Sequence, residues 1–188
     1  MYSLMSKKIK QYDIHSQLAL PFLETNQEFL NDIFRTLELN FGLEKQSKQQ
    51  LIDLGSGDGR VIIHSALNYG IKSVGIEINK NLIKESENNV KLVKDKNQSQ
   101  KKDLKQIKIV LGDFFQQNLG NFDYIYIFSL PTMHEYLQHI LNTAKIGATL
   151  ISHKYPLIQK FFTSLRLDYT LKHEVENSEI FTYYYTKF

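Results

Sequence analysis

The segment LIDLGSGDGR, residues 51–60, decides how the rest of the sequence is interpreted. Its first four residues, Leu51 to Leu54, are a short strand candidate, and glycines then follow at alternate positions. Val61 to Tyr69 can form a helix, with Gly70 placed for a left-handed C-cap. The order is therefore strand, glycine turn, helix. Such a turn lets the backbone approach a ligand closely, but it can also simply connect two elements.

The same alternation of strands and helices continues outward from this segment. The predicted strands are Ser73–Ile76, Ile107–Leu111, Tyr124–Phe128 and Ala148–Ile151, and the predicted helices are about Thr25–Leu39, one capped by Asn79 and one after Thr132. Thr25 with Glu28, and Thr132 with Glu135, have the spacing of a capping box. Strands joined by helical crossovers predict a parallel sheet covered on both faces. Tyr169–Val175 and Ile180–Tyr185 flank a polar turn, which predicts an antiparallel C-terminal hairpin.

Length and composition limit the possible classes of protein. The 188 residues suit one domain, in which an N-terminal loop and helix, about residues 1–45, precede the core. No apolar run is long enough to cross a bilayer and no secretion signal is evident, so we expect a cytoplasmic protein without membrane insertion. The absence of cysteine excludes disulfides and thiolate chemistry.

Charge is less decisive than composition. The net charge of +3 is below that of a dedicated nucleic-acid binder and leaves nucleic-acid binding open. The Lys-rich stretch from Lys91 to Lys108 is expected to be a solvated loop, with a polyanion or partner contact as the alternative. Leu18 to Leu23, which Pro21 interrupts, is expected to be an extended loop lying against the domain.

The spacing of the glycines indicates the cofactor. A dinucleotide turn needs G-x-G-x-x-G, whereas Arg60 occupies the position of the last glycine here. The G-x-G-x-G form after an acidic residue resembles motif I of S-adenosylmethionine (SAM)-dependent methyltransferases. We therefore expect Asp53 to receive the ammonium of the SAM methionine, and the turn, through Gly55, Ser56, Gly57 and Asp58, to hold its carboxylate.

Two further strand ends carry suitable carboxylates. Glu77, followed by Ile78, is placed to accept the ribose hydroxyls, although an ordinary acid beside a helix is the alternative. Asp113, between Gly112 and Phe114, is placed to accept the adenine amino group while the aromatic ring packs on the base. Three such signals in the correct order predict SAM binding and no metal. A non-catalytic SAM-binding domain stays open as a different class.

Four passages resemble the small protein-lysine methyltransferases, a family that includes broad-specificity archaeal enzymes, ATP synthase c-subunit lysine methyltransferases and, distantly, the Dot-type histone-lysine methyltransferases. They are Pro21 to Thr25, Asp53 to Arg60, Gly112 to Phe115 and Ser152 to Tyr155, and the resemblance extends from about Pro21 to Phe188. It implies an α/β, Rossmann-like, seven-stranded class I fold with a mostly parallel sheet. It also implies an enzyme that methylates a protein substrate with an accessible lysine, often in a basic, chromatin-associated or membrane-rotor protein.

The resemblance also implies roles for residues outside motif I. Thr25 would close over the methionine end of SAM, and Ser129, Pro131, His153 and Tyr155 would line the lysine channel. Three of these residues have a structural alternative. Thr25 can be a helix cap, Pro131 a helix-starting proline and His153 a residue that only ends a strand. No general base is assigned.

An RNA or small-molecule methyltransferase is the main alternative within the same fold. Enzymes that methylate the exocyclic amines of bases, or protein glutamine, typically carry an Asp/Asn/Ser-Pro-Pro-aromatic tetrad after the fourth strand. This chain has Ser129-Leu130-Pro131-Thr132, which lacks the second proline and the aromatic stacking face. A flexible alkyl amine such as lysine needs neither.

Overall fold

The computed structural model describes residues 24–96, 103–175 and 178–188. The helices are α1 (Gln27–Asn40), α2 (Arg60–Tyr69), α3 (Lys80–Lys96) and α4 (His134–Leu141), and the strands are β1 (Gln50–Leu54), β2 (Lys72–Glu77), β3 (Ile107–Leu111), β4 (Tyr124–Ile127), β5 (Thr149–His153), β6 (Leu165–Val175) and β7 (Ser178–Lys187). Short 3₁₀ turns cover Asp103–Gln106, Phe114–Gln116, Pro131–Met133 and Gln159–Phe161. The predicted strands and the glycine-flanked helix are all present, with boundaries shifted by one or a few residues.

All seven strands form one sheet in the order β3-β2-β1-β4-β5-β7-β6. Strands β1 to β5 are parallel, whereas β7 runs antiparallel to both β5 and β6. The predicted Rossmann-like, seven-stranded fold with a C-terminal antiparallel hairpin is therefore confirmed. Because the first five strands are parallel, their carboxyl ends meet at one edge of the sheet, which is where ligands bind in open α/β folds.

Helices pack on both faces of the sheet. Successive side chains of a strand point to opposite faces, so neighbouring residues of one strand belong to different core clusters. Leu51 on β1 and Tyr124 on β4 belong to the core cluster that includes Leu30 and Phe34 of α1. Ile52 of β1 belongs to the cluster on the other face, together with residues of α4. Each large apolar side chain buried in these clusters contributes about 1.5–3 kcal/mol.

Both predicted capping boxes are wrong. At α1 the cap is Asn26, whose Oδ1 accepts a hydrogen bond from the Glu28 N–H at 2.9 Å, while Thr25 turns its hydroxyl into the protein interior. Before α4 the residues Pro131–Met133 form a 3₁₀ turn, and no side chain caps the helix that follows. Proline fixes φ near −65°, which starts this tight turn and pushes the helix start beyond Thr132.

The described residues of the Lys-rich stretch, 91–96 and 103–108, do not form the loop that the composition suggested. Helix α3 continues to Lys96, because Ser86 and Val90 bury one face of it and the lysines of its last turn favour the negative end of the helix dipole. Lys108 lies in β3. Residues 97–102 and the predicted extended loop Leu18–Leu23 lie outside the described residues. Within the described ranges, no helix is long and apolar enough to cross a membrane.

Candidate functional site

The turn after β1 needs glycine at each of its three glycine positions. Gly55, Gly57 and Gly59 have φ angles of 89°, 52° and 82°, which side chains with a Cβ rarely adopt. The amides of Gly55 and Ser56 both donate to the carbonyl oxygen of Ile76 at 2.9 Å, which holds the turn against the end of β2. The turn thus has left-handed φ at alternate residues and lies at the carboxyl edge of the sheet.

Two of these glycines also create space. A Cβ on Gly59 would lie 2.1 Å from the Oγ atom of Ser86, so this glycine lets the start of α2 approach α3. A Cβ on Gly55 would point toward the Phe114 ring, 3.9 Å from its Cε1 atom. A Cβ at Gly55 would therefore lie in van der Waals contact with Phe114, and the glycine turn and Phe114 are both predicted to contact SAM.

The Glu77 carboxylate joins the end of β2 to the glycine turn. Its Oε2 accepts from the Gly57 N–H at 2.9 Å, and its Oε1 accepts from the amides of Ile78 and Asn79 at 2.9 and 2.8 Å. Charge-assisted hydrogen bonds of this kind are about twice as strong as neutral ones. Ile78 itself is exposed, so its contribution to the described contacts is through its backbone.

Asp53 is a buried carboxylate beside two other acids. Burial raises its pKa well above the ordinary value, and the nearby charges of Glu77 and Asp58 raise it further. Only Asp58 of these three acids has a basic partner among the described residues, through Arg60. A cationic ligand beside the glycine turn would therefore stabilise the ionised form of Asp53.

Arg60 connects the glycine turn to the residues before α1. Its Nη2 lies 2.6 Å from Asp58 Oδ2 and 3.0 Å from Glu24 Oε2, and its Nη1 donates to the Thr25 carbonyl oxygen at 3.0 Å. The sequence placed Asp58 in the cofactor site, and the structure holds its carboxylate together with that of Glu24 on one guanidinium. The arginine that excluded a dinucleotide thus ties the preceding loop to motif I.

The third carboxylate signal lies after β3. Asp113 Oδ1 accepts a hydrogen bond from the Phe115 N–H at 2.9 Å and so starts the 3₁₀ turn that carries Phe114. The Gly112 N–H donates to the carbonyl oxygen of Glu77 at 2.9 Å. The end of β3 therefore lies against the end of β2, and Asp53, Glu77 and Asp113 follow one another on the adjacent strands β1, β2 and β3.

Thr25 reaches the edge of the sheet through Tyr126. Tyr126 lies opposite Asp53 in the pairing of β4 with β1, and its hydroxyl lies 2.7 Å from Thr25 Oγ1. Burial raises the Tyr126 pKa well above its ordinary value, so the phenol stays neutral. This bond holds the Thr25 hydroxyl against β4, and Asn26 rather than Thr25 caps α1. That Thr25 closes over the methionine end of SAM stays a prediction.

The predicted acceptor residues gather after β4 and β5. The His153 ring lies 5.0 Å from Phe128, edge to face, and the Tyr155 ring lies 6.3 Å from Phe128, between ring centroids. Ser129 is buried, and its Oγ has no hydrogen-bond partner in the described part of the chain. Pro131 is exposed and starts the 3₁₀ turn, as its structural alternative required.

A strained turn carries Tyr155 away from β5. The Tyr155 N–H donates to the His153 carbonyl oxygen at 2.9 Å around Lys154, whose φ is 69°, which is the rare and strained form of γ-turn. Ser152 Oγ donates to the Tyr155 carbonyl oxygen at 2.7 Å and fixes the turn. Backbone strain held in this way is typical of functional sites.

The sequence did not single out every polar group of this region. Thr182 of β7 is buried and lies opposite His153, with 2.8 Å between Thr182 Oγ1 and His153 Nδ1. A buried threonine within an apolar strand was the only available signal. It could not be used without the register of β7 against β5.

Comparison with known proteins places this arrangement in a family. The chain is 28% identical over 142 residues to the lysine N-methyltransferase of the ATP synthase c-subunit from Caenorhabditis elegans, covering 75% of this chain and 70% of that protein. It is 30% identical over 141 residues to a protein-lysine N-methyltransferase of Saccharolobus islandicus (strain REY15A), covering 73% of this chain and 78% of that protein.

A solved structure shares the fold. The RNA methyltransferase from Salinibacter ruber in complex with S-adenosyl-L-homocysteine superposes with a TM-score of 0.66 at 24% identity, covering 88% of this chain and 94% of that one. The profile of the ANTKMT methyltransferase domain matches residues 53–160, from the first acidic residue of motif I to beyond the strained turn. The resemblance inferred from the sequence is confirmed, and the chain belongs to the ANTKMT methyltransferase family.

Proposed function

We propose that this enzyme transfers the methyl group of SAM to the ε-amino group of a lysine in a protein substrate. Membership of the ANTKMT methyltransferase family supports methyl transfer, and two relatives that are named as protein-lysine N-methyltransferases support the acceptor. The observation that carries the proposal is the acidic edge of the sheet, where Asp53 and Glu77 flank the glycine turn and the aromatic acceptor residues lie on the neighbouring strands.

The residues at this edge fit SAM. The cofactor carries a sulfonium and an ammonium, and the buried Asp53 with its raised pKa gains a counter-charge when a cation binds. Glu77 already accepts three backbone amides, which holds its carboxylate in place for the ribose hydroxyls. Gly55 has no side chain on the side of the turn that faces Phe114, so the backbone there is open to close approach by a ligand. The cofactor is SAM, and these residues would hold it.

Methyl transfer needs the protein mainly for positioning. Bound SAM supplies an activated methyl group, so the chain must place a neutral amine in line with the methyl-sulfur bond at about 3–3.5 Å. Deprotonation of a lysine with a pKa of about 10.4 costs about 4–5 kcal/mol at neutral pH. The sulfonium charge of bound SAM and the loss of water around the buried His153 both disfavour an ammonium and would lower this cost.

The substrate is a protein, and its finer identity is part of the proposal. A basic, chromatin-associated or membrane-rotor protein is what the family resemblance implies. Glu24 is exposed beside Arg60 at the start of α1 and could attract such a basic partner. A cytoplasmic location stays a prediction from the sequence.

The test is transfer of labelled methyl groups from SAM to defined acceptors. The wild-type protein is incubated with a set of lysine-containing basic proteins, the same proteins with their lysine amines blocked beforehand, and transfer RNA. We expect label only on proteins with free lysines, and acid hydrolysis should release it as methyl-lysine.

The control separates the cofactor site from the acceptor. Glu77→Ala should abolish transfer, while Glu85→Ala, which removes an exposed acid from α3, should leave it unchanged. Label on the RNA but not on lysine would contradict the proposed acceptor. Measurable SAM binding without transfer to any of these acceptors would favour the non-catalytic alternative.

A further inference from the structure

A chain of hydrogen-bonding groups runs from the acceptor side of the sheet toward the surface. Thr182 Oγ1 on β7 lies 2.8 Å from His153 Nδ1 on β5 and 2.8 Å from His173 Nε2 on β6. All three side chains are buried, and Phe29 packs on the His173 ring at 4.4 Å. Beyond them the Asp32 Oδ2 atom on α1 lies 4.0 Å from His173 Nδ1, which is an electrostatic contact and not a hydrogen bond, and most of the Asp32 side chain is exposed.

The single hydroxyl hydrogen of Thr182 fixes the direction of this chain. Thr182 can donate to only one of the two histidines and must accept from the other. If it accepts from His173, the lone pair of His173 Nδ1 faces the Asp32 carboxylate, which is electrostatically unfavourable. The favoured arrangement therefore has His173 Nδ1–H facing Asp32, Thr182 donating to His173, and His153 Nδ1–H donating to Thr182.

This direction leaves the Nε2 atom of His153 with a lone pair. The Nδ1 atom of His153 faces β7, and on the other side of β5 the rings of Tyr126 and Phe128 lie 6.5 and 5.0 Å from the imidazole. Tyr126 lies opposite Asp53, the predicted partner of the SAM ammonium. His153 is thus a hydrogen-bond acceptor at the strand ends where the amine must be placed.

We infer that Thr182, His173 and Asp32 are positioning residues that hold His153 in the Nδ1–H tautomer, and that His153 Nε2 accepts a hydrogen bond from the substrate lysine amine. The inference rests on the proposed function. One N–H of the neutral amine points to His153, and the amine lone pair is then free to face the methyl group. As the N–C bond forms, the C–S electron pair moves to sulfur, and the amine hydrogens stay on the methylated product.

A neutral His153 suits this role. Burial lowers its pKa to about 3, with smaller contributions from His173 and Lys154, so the ring adds no positive charge beside the sulfonium at neutral pH. The pKa of His173 is lowered by burial and raised in part by Asp32, the acid that faces it from α1. Tyr126 on β4 stays neutral because burial raises its pKa.

The kinetic test compares variants that keep or remove the hydroxyl at position 182. Thr182→Val should lower kcat for a lysine-containing acceptor by about 10-fold, because His153 loses the hydrogen bond that fixes its tautomer, with the SAM Kd within twofold of wild type. Thr182→Ser should restore kcat to within about threefold of wild type. Equal kcat in Thr182→Val and wild type would overturn the inference.

Asp32 gives a test at a surface position. Asp32→Asn keeps the side-chain size and should lower kcat by about threefold with little change in KM, because the tautomer preference is weakened rather than lost. The matched control is Glu28→Gln, which removes an exposed acid one turn earlier on α1 and should not change kcat. Equal effects of the two variants would indicate a general charge effect and contradict the inference.

The tautomer can be observed without activity. In ¹⁵N-histidine NMR of the wild-type protein we expect His153 as the Nδ1–H form, and a mixture of forms in Asp32→Asn. An Nε2–H form of His153 in the wild type overturns the inference even if lysine is methylated. Absence of lysine methylation by the wild type instead overturns the proposed function, and with it the role of His153 toward the amine.

Discussion

The two halves of the candidate site are built in different ways. The cofactor half, at the ends of β1 to β3, consists of backbone amides, left-handed glycines and carboxylates that lie close together in the sequence around each strand end. The acceptor half, at the ends of β4 and β5 and the facing part of β7, consists of aromatic rings, histidines and hydroxyls brought together by strand pairing. The first half is polar and charged, and the second half is mostly neutral.

This difference separates affinity from catalysis. Charged groups in the cofactor half provide binding energy for a cationic ligand, and their loss should appear as weaker SAM binding. Neutral groups in the acceptor half position an amine, and their loss should appear in kcat with SAM affinity retained. Variants in the two halves therefore test whether SAM affinity depends on the first half and kcat on the second.

The largest effect is expected for Glu77→Ala. Loss of the carboxylate removes the predicted bonds to both ribose hydroxyls and the acceptor for the amides of Gly57, Ile78 and Asn79. At about 1.5–3 kcal/mol for each hydrogen bond to a charged group, SAM affinity should fall by more than about 100-fold. Isothermal titration calorimetry with SAM measures this change, and circular dichroism checks that the protein stays folded.

The comparison would fail if Glu77→Ala bound SAM within threefold of wild type. Glu77→Gln keeps the size and one acceptor oxygen and should give an intermediate affinity. Glu85→Ala is the control for the loss of an acid on the protein surface.

The next effect is expected for Asp53→Asn, which should weaken SAM binding and stabilise the cofactor-free protein. Because the folded-state pKa of Asp53 is raised, the folded state binds a proton more tightly than the unfolded state, and stability falls as the pH rises through the range above the unfolded pKa of about 3.9. The asparagine side chain of Asp53→Asn does not ionise, so the stability of the variant does not fall in this pH range. We expect a Tm gain of about 2 °C or more at pH 7 and about 10- to 100-fold weaker SAM binding.

The Tm gain of Asp53→Asn should shrink as the pH falls through about 4 and vanish near about 3, where Asp53 is protonated in both states. Asp95→Asn, at an exposed position of α3, should show neither effect. A lower Tm for Asp53→Asn at pH 7 would mean that the carboxylate is stabilising and is not held for a ligand.

The cofactor half was the part that the sequence could predict. Glycine spacing, Asp53, Glu77 and Asp113 follow directly after apolar runs, so their order along the chain gives their order along the sheet edge. Whether these residues and the acceptor residues act as assigned stays a prediction. The single-domain organisation also stays a prediction.

The acceptor half could not be derived in the same way. The link from His153 through Thr182 to His173 depends on the register of β5 with β7 and of β7 with β6, and a shift of one residue would turn every side chain to the other face. The capping boxes failed for a local reason, because Asn26 and Pro131 lie next to the predicted caps and control the backbone there. A sequence pattern within one helix or strand therefore could not predict a cap or a side-chain contact that depends on a neighbouring residue or on strand pairing.

A smaller effect is expected where the two halves meet, at the bond between Thr25 and Tyr126. Tyr126→Phe leaves the Thr25 hydroxyl buried without its partner and should cost about 1–2 kcal/mol of unfolding free energy. Thr25→Val should cost a similar amount, and the double variant should show a coupling energy of about 1 kcal/mol in urea unfolding. As a control, Tyr124→Phe and Thr25→Val should be additive, because Tyr124 bonds to Gln49 and Phe41 instead. Additivity of Tyr126→Phe with Thr25→Val would show that the bond does not connect the halves.

The smallest effect is expected at Lys154, where the acceptor half stores backbone strain. A left-handed φ costs a residue with a Cβ about 1–2 kcal/mol, and glycine avoids this cost but loses about 0.5–1 kcal/mol through greater freedom of the unfolded chain. Lys154→Gly should therefore raise the unfolding free energy by less than about 1 kcal/mol. Lys160→Gly is the matched control, since both lysines lie over an aromatic ring but Lys160 has an ordinary φ, and it should destabilise the protein by about 1 kcal/mol. If Lys154→Gly destabilised the protein as much as Lys160→Gly, the γ-turn would hold no strain, and the position of Tyr155 would need another cause.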